Sequence, residues 1–171
     1  MTYHVQSVAT AGSPVVPAEP SNLATPYRTH TCGDLRDADG GTHVKLAGWV
    51  HRRRDYGKLV FIDLRDRHGI TQVVVDAADA PEAHDLAEQV RTEYVIAVEG
   101  TVAHRQPGQE NARLATGDVE VQATKVTVLN EAKTPPFYVN DPDAPIDESL
   151  RLKYRYLDIR REAMQKRLFL R

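Results

Sequence analysis

Apolar and polar residues alternate over most of residues 27–130, and this period of two limits the possible folds more than any other feature. Successive side chains of a β-strand point to opposite faces, so such a pattern predicts strands with one buried face. Five runs show it, at residues 43–50, 59–65, 70–76, 94–102 and 119–129. The region is therefore predicted to be mostly β-sheet.

One stretch between the third and fourth runs has helical spacing instead. Its apolar residues recur at intervals of three and four, at Ala83, Leu86, Ala87 and Val90. This spacing predicts one short amphipathic helix, with Asp79 as its N-cap and Glu82 three residues further on. Three strands, a helix and two strands are the element order of the five-stranded Greek-key barrel called the OB-fold. We therefore expect an all-β fold with one helix.

Proline content and charge divide the rest of the chain. Residues 1–26 hold four of the ten prolines and one charged residue, which predicts a flexible N-terminal extension. Residues 131–150 hold four more prolines, one basic residue and five acidic residues, so a linker or hinge is predicted over residues 131–157. Residues 151–171 carry eight basic and two acidic residues. The spacing of Met164, Leu168 and Phe169 predicts a C-terminal helix there, and we place the start of a further unit at residue 158.

Composition argues against several classes of protein. The longest apolar runs are far shorter than the roughly 20 residues that cross a bilayer, so no membrane segment is expected. Cys32 is the single cysteine, which excludes an internal disulfide and favours a cytoplasmic location. A metal-dependent hydrolase is a possible alternative because the chain has seven histidines. They are scattered without a HExxH motif, so we predict no metal site and no catalytic residue.

The second strand and its surroundings suggest recognition of single-stranded RNA. Alternation predicts that one uniformly apolar set faces the barrel interior: Val60, Ile62 and Leu64. Phe61 then lies among charges on the outer face, where a nucleobase could stack on it. The segment His51-Arg52-Arg53-Arg54 is predicted to be a basic turn, and Gln72 supplies an amide for a base edge. Taken singly, a phenylalanine packed beneath a loop and a solvated basic turn are the simpler interpretations.

Two segments resemble bacterial-type aspartyl-tRNA synthetases. They are GWVHRRRDYGKLVFIDLRDRHGITQVVV at residues 48–75 and RLKYRYLDIRR at residues 151–161. The resemblance covers roughly residues 27–171. Asparaginyl and lysyl enzymes share the OB-fold, but RRRD together with RYLDIRR is most similar to the aspartyl branch. The resemblance implies an anticodon-binding domain over residues 27–130, a hinge, and the start of a class II catalytic domain at residues 158–171.

The resemblance also implies a role for individual residues. Phe61 would stack on the middle uracil of the anticodon, and Gln72 would hydrogen-bond the edge of that base. Glu120 would read the guanine at the first position. Arg52 and Arg54 would contact the third-position cytosine and nearby phosphates. Two further candidates lie in the loop between the fourth and fifth strands, Arg105 and Asn111.

We accordingly expect the N-terminal part of an aspartate-tRNA ligase, truncated before its catalytic motifs. Its activity would be recognition of the tRNA-Asp anticodon, and the chain alone would not attach aspartate to tRNA. No cofactor is expected in this fragment, whereas the full-length parent would use ATP and magnesium and form a homodimer. The alternative is a free-standing OB-fold module that binds single-stranded nucleic acid.

Overall fold

The structure is a computed structural model that describes residues 25–141 and 144–170 of the chain. The extension predicted for residues 1–26 lies almost wholly outside the described residues. Five strands and one helix form the main body: β1 (His43–Asp55), β2 (Leu59–Arg65), β3 (Ile70–Asp76), α1 (Pro81–Gln89), β4 (Val95–His104) and β5 (Val119–Asn130). Three short helices come after them: α2 (Glu148–Lys153), α3 (Arg155–Asp158) and α4 (Glu162–Phe169).

The five strands close into a barrel in the order β1-β2-β3-β5-β4. The strand β3 pairs with β5 in parallel, and the other neighbours are antiparallel. The predicted OB-fold is therefore confirmed. The interior residues predicted for β2 are fully buried, as are many apolar residues of the other strands: Val60, Ile62, Leu64, Leu46, Val50, Val73, Val75, Ile96, Val98 and Val121.

The basic segment that was predicted to be a turn is part of β1, so that prediction is wrong. Arg52 lies opposite Asp63 and Arg54 lies opposite Phe61 in the pairing with β2. Pairing with a neighbouring strand outweighs the weak strand preference of consecutive arginines. The turn instead comes after β1 at residues 56–58, where Gly57 has a φ of 76°, which favours glycine.

The helix α1 also begins differently from the prediction. Its N-cap is Ala80 rather than Asp79, and Pro81 starts the first turn. Leu86, a member of the predicted apolar stripe, is 38% exposed. His84, which is not a member of that stripe, is buried. His84 turns inward because its Nε2 hydrogen-bonds the carbonyl oxygen of Gly57, at 2.9 Å, in the turn between β1 and β2.

The segment after β5 has more structure than one linker and one helix. Phe137 and Val139 are buried, and three short helices replace the single predicted C-terminal helix. The Asp147 carboxylate caps α2 by accepting from the backbone N–H of Ser149, at 2.9 Å. Among the described residues, no helix has the length and apolar character that crossing a membrane requires.

Candidate nucleic-acid interface

A cavity of about 680 Å³ lies on the outer face of β1, β2, β3 and β5, beside the loop at residues 105–118. All seven residues predicted for the RNA site line it: Arg52, Arg54, Phe61, Gln72, Arg105, Asn111 and Glu120. They come from four strands and a loop that are distant in sequence. The barrel topology therefore brings the predicted site residues to one surface.

A chain of hydrogen bonds crosses the floor of this cavity. Arg54 donates from Nη2 to Oδ1 of Asp63, at 2.8 Å, and to Oε1 of Gln72, at 3.1 Å. The Gln72 Nε2 donates to Oε2 of Glu120, at 2.8 Å. Arginine can only donate and an ionised carboxylate can only accept, so the two partners fix which way the Gln72 amide points. The amide is thereby held in one orientation before any ligand arrives.

Phe61 lies at the edge of this polar chain and is half-buried. The Arg54 guanidinium carbon is 5.7 Å from the centroid of the phenyl ring. Tyr56, in the turn after β1, meets the ring edge-on with centroids 5.6 Å apart. These contacts hold the ring in place, and the cavity gives it an open side.

Arg105 comes directly after β4 and is only 8% exposed. Its Nε donates to the carbonyl oxygen of Val119, at 3.1 Å, while its Nη2 is buried without a hydrogen-bond partner among the described residues. Arg54 Nε is likewise buried without a hydrogen-bond partner among the described residues. A buried donor without a partner costs about 1–3 kcal/mol. Both arginines line the cavity, but these two nitrogens are buried beneath its surface.

Asn111 organises the loop that closes one side of the cavity. Its backbone N–H donates to the carbonyl oxygen of Gly117, at 3.0 Å, and its side-chain oxygen accepts from the N–H of Arg113, at 3.1 Å. A side chain at position 117 would clash, because a Cβ there would lie 1.9 Å from the carbonyl oxygen of Asn111. Close approach of the two backbones therefore requires Gly117.

The sequence prediction missed several residues of the cavity wall: Tyr56, Leu59, Asp63, Val74, Gln106, Gln109 and Leu114. Asp63 could have been found, since it shares the outer face of β2 with Phe61 and lies opposite Gln72 in β3. Tyr56 could not be placed without knowing where β1 ends. It is 69% exposed and stands at the rim of the cavity.

His51 lies in β1 just before the cavity residues and is neutral under ordinary conditions. Burial and the charge of Arg65 lower its pKa. Arg65 also donates to its Nδ1, at 2.9 Å, so the ring proton must be on Nε2.

One group of side chains in the described part of the chain could hold a metal ion. The ligand atoms of His84, Asp85 and Glu88 lie within 4.8 Å of one another on α1. Both carboxylates are exposed, and none of the three residues lines the cavity. The cluster is therefore separate from the candidate interface.

Comparison with known proteins identifies relatives of this chain. A sequence family described as "OB-fold nucleic acid binding domain" matches residues 44–129. An aspartate-tRNA(Asp/Asn) ligase of Moorella thermoacetica is 56% identical over 149 residues, an alignment that covers 87% of this chain and 24% of that protein. The chain thus spans about a quarter of the length of the curated relatives that it matches.

Solved structures of two synthetases have a similar fold. An asparaginyl-tRNA synthetase from Pyrococcus horikoshii, complexed with asparaginyl-adenylate, matches with a TM-score of 0.63 and 31% identity, over 76% of this chain and 28% of that one. A putative aspartyl-tRNA synthetase from Leishmania major matches with a TM-score of 0.68 and 26% identity, over 81% of this chain and 29% of that one. Each alignment is longer than the barrel alone.

Proposed function

Because the chain belongs to the OB-fold nucleic acid binding domain family, we propose that it binds single-stranded RNA and recognises the anticodon of a tRNA. One observation carries the proposal. An aromatic ring, three arginines and a fixed amide–carboxylate pair converge on a single cavity. These groups supply stacking, backbone contacts and base-edge contacts, which are the components of single-strand recognition. OB-folds bind oligonucleotides with this same face of their second and third strands.

The middle base of the triplet stacks on Phe61 and pairs with Gln72. The Gln72 amide uses one lone pair for Arg54 and one N–H for Glu120, so a second lone pair and a second N–H remain. Uracil presents an N3–H donor next to a carbonyl acceptor, and this pair matches the remaining groups of the amide. Cytosine has an acceptor at N3 instead, so it would face the amide oxygen with a lone pair.

Glu120 selects the first base. Guanine presents two adjacent donors, N1–H and N2–H, which a carboxylate can accept together. One hydrogen bond to Gln72 leaves the Glu120 carboxylate with free acceptor sites. Bases that present an acceptor at this place are repelled by the charge, so the residue discriminates against wrong bases as well as binding the right one.

The arginines bind the backbone and the third base. Arg54 and Arg105 line the cavity and place positive charge where a phosphate or base oxygen would enter. Charge-assisted hydrogen bonds to such oxygens favour the bound state. Arg52 is exposed at the rim and supplies a further positive charge, and Asn111 lies on the loop side.

We further propose that this chain acts as the anticodon-binding part of an aspartate-tRNA ligase, with tRNA-Asp as its partner. The identity to aspartate-tRNA(Asp/Asn) ligases supports this assignment. In the proposal, the full-length protein attaches aspartate to tRNA with ATP and magnesium, as a cytoplasmic homodimer. The described residues contribute RNA recognition and no catalytic group.

A titration with two RNA hairpins at fixed salt tests the proposed function. One hairpin carries guanine, uracil and cytosine at the centre of a seven-nucleotide loop, and the other has cytosine in place of the middle uracil. We expect the first to bind more tightly, by about 1–3 kcal/mol, because only uracil matches the free groups of the Gln72 amide while both bases can stack on Phe61. Equal binding of both would support a generic single-strand module. Absence of binding would contradict the proposed function.

A further inference from the structure

A second cavity, of about 510 Å³, adjoins the candidate interface. Arg52 and Asp63 line both cavities, so the two surfaces are continuous. The other lining residues come from β1, from the loop before β4 and from the segment after β5: His51, Thr92, Tyr138, Asn140 and Asp141. The contacts proposed for the triplet leave this second cavity unused.

Tyr138 is the aromatic residue of this second cavity, and the chain holds it facing outward. Its neighbours Phe137 and Val139 are 7% and 5% exposed, whereas Tyr138 is 55% exposed. The Asn140 side chain donates to the backbone oxygen of His51, which ties the segment to β1. A segment anchored on both sides presents the middle ring at little further cost in conformational entropy.

The polar groups around Tyr138 suit a nucleotide. Arg52 supplies a positive charge, and the neutral His51 ring keeps a proton on Nε2 for donation. The Asp63 carboxylate forms an ion pair with Arg54, with Oδ1 and Nη2 2.8 Å apart. This pairing reduces the repulsion between Asp63 and an RNA phosphate. The cavity thus combines an exposed aromatic ring, a cation and a neutral donor with one further acid, Asp141, and the first cavity likewise mixes an aromatic ring, arginines and acids.

We propose that Tyr138 stacks the base of the nucleotide that directly flanks the anticodon triplet, so that the protein binds a fourth nucleotide. This inference rests on the proposed function, because the same RNA strand must pass from the first cavity over Arg52 and Asp63 into the second. The occupant is a nucleotide of that strand, since the second cavity is continuous with the surface that holds the triplet.

The test compares the whole chain with three variants, using the hairpin that carries guanine, uracil and cytosine. Tyr138→Ala should weaken binding by about five- to 150-fold, the loss expected for one stacked base. Tyr138→Phe keeps the ring and should bind within about twofold of the unchanged chain. Tyr156→Ala removes another exposed tyrosine, on α3, and serves as the matched control.

Two hairpins with an abasic nucleotide directly 5′ or 3′ of the triplet identify the occupant. The unchanged chain should bind one of these abasic hairpins as weakly as Tyr138→Ala binds the intact hairpin. For that abasic hairpin, Tyr138→Ala and the unchanged chain should have equal affinity. If Phe61→Ala weakens binding of the intact hairpin and Tyr138→Ala does not, this inference fails and the proposed function stands. The inference is also overturned if Tyr138→Ala weakens binding of the intact hairpin and weakens binding of both abasic hairpins by the same factor. If the unchanged chain binds no hairpin, both proposals fail.

Discussion

The pleat of β2 decides which of its side chains reach the cavity. Ile62 points into the barrel and is fully buried, whereas Phe61 and Asp63, one residue to either side, line the outer cavity. This parity can be predicted from alternation alone, because a one-residue shift would expose the whole apolar set. Glu120 could not be selected in this way. A carboxylate on a strand is ordinarily a surface group, and only the resemblance to the synthetases pointed to it.

Phe61→Ala should separate RNA binding from stability. We expect the affinity for the hairpin with guanine, uracil and cytosine to fall by about 1–3 kcal/mol, because stacking is lost. The thermal midpoint should change little, since the ring lines the cavity outside the core. Titration and thermal unfolding of the same sample measure both quantities.

Ile62→Ala is the control for that substitution, on the opposite face of the same strand. It should cost about 2–5 kcal/mol of folding free energy by leaving a cavity in the core. If Phe61→Ala destabilises the chain as much as Ile62→Ala does, Phe61 is a core residue and its proposed role is wrong.

Glu120→Gln should relax the choice of the first base. The substitution keeps an oxygen for the hydrogen bond from Gln72 but removes the charge and one acceptor that guanine needs. We expect the ratio of affinities between guanine-first and adenine-first hairpins to fall by about tenfold, equivalent to about 1.4 kcal/mol.

Glu110→Gln provides the matched comparison for Glu120→Gln. Glu110 lies in the loop before β5, the strand that carries Glu120; it is exposed and does not line the cavity. Glu110→Gln should leave the ratio of affinities between guanine-first and adenine-first hairpins unchanged. An equal loss of affinity for both hairpins in Glu120→Gln would show a general electrostatic effect and no base selection.

Among the strands and helices, sequence patterns located the strands better than they located the ends of strands. The fourth and fifth strands begin and end within two residues of the predicted positions. β1 runs five residues further than the predicted run, through the arginines, because β2 lies beside it and supplies partners. Such pairing is a tertiary effect that local composition does not reveal. The burial of His84 has the same kind of cause, a hydrogen bond to a turn from another element.

The helices after β5 depend on one buried carboxylate. Asp158 is fully buried and accepts hydrogen bonds from Arg151, at 2.9 Å, and Arg155, at 2.7 Å. Burial alone would raise its pKa, but the hydrogen bond and charge of Arg151, with the charges of Arg155 and Arg161, bring the pKa below its ordinary value. Its contribution to stability is therefore present at neutral pH. That contribution is lost only as the pH falls below the ordinary range of aspartate, near 3.9, and through the lowered value.

Asp158→Asn should destabilise α2 and α3 at neutral pH by about 1–3 kcal/mol, since the amide lacks the charge and one of the two oxygens that accept from Arg151 and Arg155. Amide hydrogen exchange of those helices measures this local change directly. Affinity for the hairpin should be unchanged, because Asp158 does not line the cavity. Glu162→Gln, in an exposed ion pair with Lys166, is the control and should alter exchange little. Equal exchange in Asp158→Asn and the unchanged chain would contradict the assigned role.

For the molecule as a whole, a barrel of modest size carries a local binding surface on a slightly acidic chain. The net charge of minus two gives little general attraction for RNA. In the proposed function, recognition therefore rests on the cavity, which Arg52, Arg54 and Arg105 line together with Phe61 and Gln72. The element order predicted this barrel, and the resemblance predicted which residues meet on it. The polar chain from Asp63 to Glu120 and the unmatched arginine donors needed the three-dimensional structure, because they depend on side-chain geometry across several strands.

The function proposed for this cavity is the reading of three bases. Competitive binding of a hairpin pool, randomised at the three central positions of a seven-nucleotide loop, tests it most directly. We predict that bound RNA is enriched in guanine, uracil and cytosine at the first, second and third positions, with the enrichment of guanine lost in Glu120→Gln. A bound pool with the same composition as the starting pool would contradict this function.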